Sequence, residues 1–207
     1  MGFYDRYCLP PLLDLACGGK PFRKQREKIV PNLTGNVLEI GIGSCHNLPF
    51  YNRAQTTKII GVDPDDHLWK RSEKRRTATS IPVERIGLDG QNIPLEAGDV
   101  DNVLVTYSLC TIPDAVKALS EMHRVLKPGG RIWFCEHGKA PDAKVERFQK
   151  RIDPIWGKLA GGCQTGKDIP ALFERAGIGI ENLETGYIPG PRFAAFNYWG
   201  MSRQKAS

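Results

Sequence analysis

Residues 37–51 read VLEIGIGSCHNLPFY. An apolar run followed at once by Gly41 and Gly43 is the pattern of a buried strand entering a tight loop. A dinucleotide site would continue with a third glycine or an alanine, letting a pyrophosphate approach the backbone and the next helix pack closely. Here that position holds His46, and an imidazole argues against a close pyrophosphate. Glu39, two residues before Gly41, argues the same way: a buried carboxylate beside a diphosphate is repelled, whereas one beside an ammonium or sulfonium is attracted. Asp63, ending the next apolar run KIIGVD, lies about 20 residues beyond Gly41, the separation at which an acid reaches ribose hydroxyls. The loop therefore suits a ligand that carries both a positive charge and a ribose.

Outward from this loop the pattern repeats. NVLEIG, KIIGVD, IPVERIG, DNVLVTY and RIWFCEHG are short apolar runs, separated by helical stretches, and such alternation indicates right-handed βαβ units and a parallel sheet. The helices are DDHLWKRSEKRR and DAVKALSEMHRVL; the second starts after Pro113 and carries Val116, Leu119, Met122 and Leu126 at helical spacing. KPGG, residues 127–130, is expected to turn the chain into the next strand. Beyond Gly138 come VERFQKRIDPIW, with Pro154 as a kink or break, the helix KDIPALFERAG, and two closing strands, IGIENLETGY and RFAAFNYWG, joined by IPGP. At the other end, LPPLLDLACG and PFRKQREKIVP read as two short helices broken at Gly18 and Gly19 and ended by Pro31, placed to cover the opening of the site.

Composition narrows the class. The 207 residues are 41% hydrophobic and 25% charged, an ordinary globular balance that fits one domain. No apolar run reaches the roughly 20 residues of a membrane helix, and the start has no signal-peptide pattern, so a cytoplasmic protein without an integral membrane segment is expected. The net charge of +6 is densest in KRSEKRR, residues 70–76, read as a solvated helix face; no nucleic-acid motif accompanies it and no nucleic-acid partner is expected. The six cysteines are scattered without CxxC pairs, and with the few histidines they lack ligand spacing, so no metal is expected. A monomer is the default.

S-adenosylmethionine is a ligand of the kind this loop suits. VLEIGIG, GVDP, DGQNIPL, YSLCTIPD and HRVLKPGGRIWF stand in the order and spacing of the class I S-adenosylmethionine-dependent methyltransferases, which the chain resembles. Over nearly its whole length it also resembles a narrower group, the small methyltransferase-like proteins whose animal members are membrane-associated alkyl thiol methyltransferases. MGFYDRY, QREKIVP, NLPFY, LCTIPD, EHGKAPD, IDPIWGKLAGGC and YIPGP carry that likeness. Animal members have a hydrophobic amino-terminal anchor, which is not expected here. The resemblance implies a single α/β, Rossmann-like domain with a mostly parallel seven-stranded sheet and an antiparallel last strand. Residues 1–31 would be its helical cover and residues 32–207 its core.

The same resemblance implies site roles. Gly41 and Gly43 would pass under the methionine part of the cofactor, with Glu39 as an indirect orienter. Asp63 would take the ribose hydroxyls and Pro64 would border the adenine. Asp89, Gly90 and Gln91 would frame the adenine, Gln91 replacing an acid often found there, or standing as a surface residue. Tyr107 and Ser108 would offer carbonyls to the amino group. Cys45 replaces the glycine of G-x-G-S/T-G; it is either a small side chain tolerated in the loop, or a thiol beside the cofactor, open to oxidation if its pKa is lowered.

The acceptor would be a small, fairly apolar molecule, most simply a thiol, because thiolate is already a nucleophile near neutral pH. S-adenosylhomocysteine would be the second product. Tyr4, Cys110, His137, Trp156 and Gln164 are the candidates to line its pocket, with His137 as base or acceptor-orienter, or as a structural histidine. Gln164 stands where bacterial relatives often have histidine. Cys110 and Cys163 read as packing or lining, and Tyr4 as either a closure over the cofactor or an anchor for the first helix. Methylation of oxygen, nitrogen or carbon on a phenol, quinone or lipid is the competing enzyme reading. A non-catalytic S-adenosylmethionine-binding protein is the alternative of another class.

Overall fold

The computed structural model describes residues 3–206. Met1 and Gly2 of MGFYDRY, and Ser207, lie outside them. A seven-stranded sheet runs β3 (Val83–Ile86), β2 (Thr56–Val62), β1 (Gly35–Ile40), β4 (Val100–Thr106), β5 (Leu126–His137), β7 (Phe196–Ser202), β6 (Ile180–Tyr187). β3, β2, β1, β4 and β5 pair in parallel, and β7 is antiparallel to both neighbours. This is the expected sheet. The strand order reverses between β1 and β4, so the loops that leave them face each other across the switch point where ligands bind in such sheets.

Both faces of the central strands are buried, which explains their unbroken apolar runs. Along β1 the side chains alternate: Leu38 and Ile40 join Val103, Leu119, Met122, Phe134 and Phe173 on one face, and Val37 joins Ile29, Val30, Leu33, Ile59 and Leu104 on the other. The first face is closed by α5 (Ala115–Val125) and α7 (Ile169–Arg175). Asp114 caps α5 by accepting from the Lys117 N–H, and Asp168 caps α7 through the Ala171 N–H; each such cap is worth about 1 kcal/mol.

Four local expectations need correction. DDHLWKRSEKRR is two helices, α3 (Asp66–Arg71) and α4 (Glu73–Thr77), because the buried Ser72 hydroxyl bonds back to the Trp69 carbonyl at 2.6 Å and tightens the turn. KPGG is the bulged start of β5, not a turn before it. Gly129 takes φ +82°, and the Gly129 N–H and Gly130 carbonyl pair with Lys205. α6 (Ala143–Leu159) runs through Pro154 without ending, as Lys150, whose carbonyl loses its partner, is exposed. In RFAAFNYWG the first four residues form a helical turn, α8 (Arg192–Ala195), and the strand begins at Phe196.

The amino-terminal segment forms α1 (Leu9–Cys17) and α2 (Lys20–Ile29), broken at Gly18 and Gly19 as the sequence indicates. Among the described residues no helix is long and apolar enough to cross a membrane.

Candidate cofactor and acceptor site

The loop after β1 is fixed by its own polar groups. Glu39 is buried, its Oε1 accepting from Asn47 Nδ2 at 3.0 Å and its Oε2 from the Tyr51 hydroxyl at 2.7 Å. Asn47 also reaches Thr106 Oγ1 at the end of β4. Burial pushes the Glu39 carboxyl up to about 7, with the Tyr51 and Asn47 bonds working against it. Asp63, at the end of β2, accepts from the Gly43 N–H at 2.9 Å and the Asp65 N–H at 2.8 Å, so one carboxylate joins the two loops. Burial raises its pKa against those two bonds.

The glycines are required here. Gly41 takes φ +70°, and a Cβ on it would stand 1.9 Å from Ser108 Oγ. Cys45 answers the departure noted in the sequence: it too is left-handed, at φ 61°, where a glycine would carry no strain. Its thiol is fully buried and pushed up to about 12 by that burial. The reading of a thiol with lowered pKa is therefore reversed.

Pro64 is exposed at the rim of the loop. The Asp89–Gly90–Gln91 turn packs against the end of β1, since a Cβ on Gly90 would meet Ile40 at 3.3 Å. Gln91 is more than a surface residue: its amide donates to Asp89 Oδ2 and its carbonyl accepts from the Asp114 N–H, tying the turn to the start of α5.

After β4 the chain makes a strained turn. Tyr107 takes φ 54°, and its hydroxyl donates to Asn197 Oδ1 at 2.7 Å. The Ser108 and Leu109 N–H groups both donate to Glu136 Oε1. The Ser108 carbonyl is spent on Thr111 and Ile112, whereas that of Tyr107 accepts only the weak Cys110 thiol at 3.7 Å. Of the two carbonyls expected to face an amino group, Tyr107's is the one with capacity to spare.

Beyond that turn Cys110, His137 and Cys163 converge, their ligand atoms within 4.8 Å of one another. Cys163 Sγ lies 3.3 Å from His137 Nε2. The Cys163 thiol is held well below its ordinary value by the Cys110 thiol that bonds to it and by His137, while the Cys110 thiol is pushed up. Burial works to lower the His137 pKa, but Cys163 outweighs it and the net shift is upward. His137 Nδ1, Glu136 Oε2 and Trp156 Nε1 are buried without a partner among the described residues.

Two expected pocket residues are placed elsewhere. Tyr4 is exposed and its hydroxyl donates to the Leu159 carbonyl at 2.7 Å, so it anchors the amino-terminal turn to α6. Gln164 is exposed; only its backbone serves the site, the N–H donating to the Cys110 carbonyl. KRSEKRR is not wholly a solvated face, since Arg71 and Arg75 reach Asp14 on α1 and Arg75 also donates to the Ser44 carbonyl in the β1 loop. His46, pushed down to about 4 by burial and by the neighbouring Arg75 and Arg26, is neutral at pH 7, so its 2.9 Å contact with Asp14 is not an ion pair.

Three contributors escaped the sequence reading. Arg26 is buried over the Tyr107 ring, beside Phe22 packed edge-on at 4.7 Å; a charge at helical spacing from both Phe22 and Ile29 was the available signal. Lys167 Nζ holds the Leu109 and Ile112 carbonyls. Gln149 reaches the Gly138, Thr165 and Phe193 carbonyls. Neither had a local signal.

The residues fit a cationic nucleoside cofactor: a buried carboxylate at the end of β2, a second under the loop, and a glycine backbone between them. Residues 38–134 match the methyltransferase domain family. The chain is 30% identical over 174 residues to human thiol S-methyltransferase TMT1A, covering 82% of this chain and 70% of that protein. The chain belongs to the class I S-adenosylmethionine-dependent methyltransferases. A rat thiol S-methyltransferase, TMT1B, is 33% identical over 72% of this chain, which spans only 62% of that relative's length. A demethylmenaquinone methyltransferase of Staphylococcus saprophyticus is 32% identical over half of this chain and 46% of its own. The solved structure of a SAM-dependent methyltransferase from Aquifex aeolicus shares the fold at a TM-score of 0.63 and 19% identity, covering 93% of this chain and 97% of that one. For this family the cofactor is S-adenosylmethionine.

Proposed function

We propose that the chain transfers the methyl group of S-adenosylmethionine to the sulfur of a small, fairly apolar thiol. The observation that carries this is the reach of the similarity. Thiol S-methyltransferases align over 72% and 82% of the chain, whereas the demethylmenaquinone enzyme aligns over half of it. Quinone and thiol enzymes share their cofactor motifs, so the additional length weighs on the acceptor side.

In this reading Gly41 and Gly43 let the methionine part lie on the backbone, and Asp63 binds the ribose while holding the loop. Pro64, Asp89, Gly90 and Gln91 border the adenine, and the Tyr107 carbonyl takes the amino group. Glu39, with both oxygens engaged, acts through Asn47 and Tyr51 rather than by contact. The transfer is an in-line displacement. The acceptor sulfur lone pair forms the new C–S bond as the methyl–sulfonium bond breaks, its electron pair stays on S-adenosylhomocysteine, and the thiol proton leaves to solvent or to His137. The cover of α1 and α2 keeps water from the chamber.

The test is S-adenosylhomocysteine formation with alkyl and aryl thiols beside matched phenols, amines and a reduced naphthoquinone. Turnover confined to thiols supports the reading; turnover confined to the others overturns it.

A further inference from the structure

We propose that Cys110, His137 and Cys163 form a binding site for one zinc-type divalent ion, with a fourth position open to the acceptor sulfur. The ion site stands on its own; the role of its open position rests on the thiol reading above.

Three arguments carry it. The first is geometric. Tetrahedral zinc bonded to sulfur at about 2.3 Å and to nitrogen at about 2.0–2.1 Å places the two ligand atoms roughly 3.5 Å apart. Cys163 Sγ and His137 Nε2 are 3.3 Å apart, and Cys110 Sγ completes the triangle within 4.8 Å. Closing the triangle on Cys110 Sγ to these separations gives three tetrahedral positions.

The second is that the frame is built without help from the thiols. His137 is the last residue of β5. Cys110 is fixed by the Gln164 N–H on its own carbonyl and by Lys167, which holds the carbonyls of Leu109 and Ile112 on either side of it. Cys163 follows Gly161 and Gly162, at φ +62° and +88°, and precedes Thr165 and Gly166, whose N–H groups are held by Asp153. Two soft thiols and an imidazole presented in this way make a preorganised donor set for a borderline-soft cation.

The third is stoichiometry and charge. Three protein ligands are the pattern of zinc sites that keep a position for water or substrate, whereas closed structural sites have four. Two thiolates and a neutral imidazole cancel a dication, so an added acceptor thiolate leaves one negative charge facing the sulfonium. On binding, the acceptor S–H bond breaks and its proton goes to solvent; the sulfur lone pair then attacks the methyl carbon. The product thioether carries no charge and is a weaker ligand, so it leaves. His137 Nδ1 is buried without a partner among the described residues, and the Trp156 indole helps to lower the Cys163 thiol.

Cobalt(II) added to the reduced, metal-free full chain is the probe. The proposal expects a thiolate-to-cobalt charge-transfer band saturating at one ion per chain, displaced by zinc. Cys110→Ala, Cys163→Ala and His137→Gln should each weaken binding more than about tenfold, whereas Cys8→Ala should leave it unchanged. S-adenosylmethionine affinity measured on each variant reports whether the fold survives. A small alkyl thiol should shift the visible cobalt bands. Absence of a saturable band, or a band equally strong in all variants, overturns the ion site, as does oxidation of Cys110 and Cys163 to a disulfide in place of metal uptake. A band that the thiol leaves unmoved overturns the open position. Metal and thiol binding without thiol methylation would leave the ion site standing and sink the thiol reading instead.

Discussion

In the loop after β1 both buried carboxylates, Glu39 and Asp63, have a partner on each oxygen. At the ends of β4 and β5, Glu136 uses one oxygen for two N–H groups and leaves the other bare, His137 leaves Nδ1 bare, and the Cys163 thiol lies against the imidazole with Cys110 close by. An unpaired buried polar atom costs about 1–3 kcal/mol, a cost that the second region carries at Glu136 and His137. The first region commits both carboxylates to holding its loop, although Asn47 Oδ1 beside them has no partner among the described residues. In the proposed reading the second keeps its polar groups in reserve for an acceptor or an ion.

The sharpest way to break this contrast is to crowd the loop after β1. Gly41→Ala places a Cβ against Ser108 at a left-handed φ, and should cost about 3 kcal/mol, a fall of about 6–12 °C in thermal midpoint. Gly162→Ala, at φ +88° but with the nearest atom 3.6 Å from the new Cβ, should cost only about 1 kcal/mol. Equal losses in a melting experiment would erase the distinction. Ser108→Gly in the Gly41→Ala background should recover part of the larger loss.

Asp63→Asn removes the charge and keeps an acceptor for only one of the Gly43 and Asp65 N–H groups, turning an NH2 toward the other. Cofactor affinity should fall roughly 10- to 100-fold, about 2 kcal/mol, and stability should fall by about 1–3 kcal/mol for the N–H left without an acceptor. Calorimetric titration with S-adenosylmethionine reads this directly, and an unchanged affinity would remove Asp63 from the site.

Glu39 gives a pH signature. Its folded pKa, about 7, lies above the 4.5 of a free glutamate, so the stability its protonation contributes is fully present below about 4.5 and is lost as pH rises through 7. Glu39→Gln should flatten the stability profile by roughly 2 kcal/mol between pH 5 and pH 8. Glu136 is also pushed up to about 7 by burial, so denaturant unfolding of variant and parent must be compared at each pH. Parallel profiles would mean that Glu39 is ionised throughout.

The smallest effect belongs to Cys45. Cys45→Gly relieves left-handed strain but loses a buried thiol, so the two nearly cancel and stability should stay within about 1 kcal/mol. Cys45→Val, β-branched at the same φ, should lose more than about 2 kcal/mol. Denaturant midpoints that rank the two the other way would show that packing, not φ, governs this position.

What the sequence made legible follows locality. The strands, the glycine loop and Asp63 stood out because continuous apolar runs and a roughly 20-residue spacing are properties of one βαβ unit. Ser72 ended a helix that periodicity extended, since its hydroxyl competes for a carbonyl only in a buried setting. KPGG looked like a turn because its pairing partner, Lys205, is far away in the chain. Tyr4 and Gln164 were assigned to the pocket by position; both are exposed, and the Tyr4 hydroxyl is spent on the Leu159 carbonyl. The Cys110–His137–Cys163 cluster had no motif to reveal it, since the turn after β4, the end of β5 and the loop after α6 each supply one member.

The most direct test of the central claim is the initial rate of S-adenosylhomocysteine formation across a matched set of small thiols, phenols and reduced naphthoquinones at fixed pH. The account predicts saturable turnover with the thiols alone, the methyl group recovered on sulfur. Turnover with the phenols or quinols and none with the thiols would contradict it.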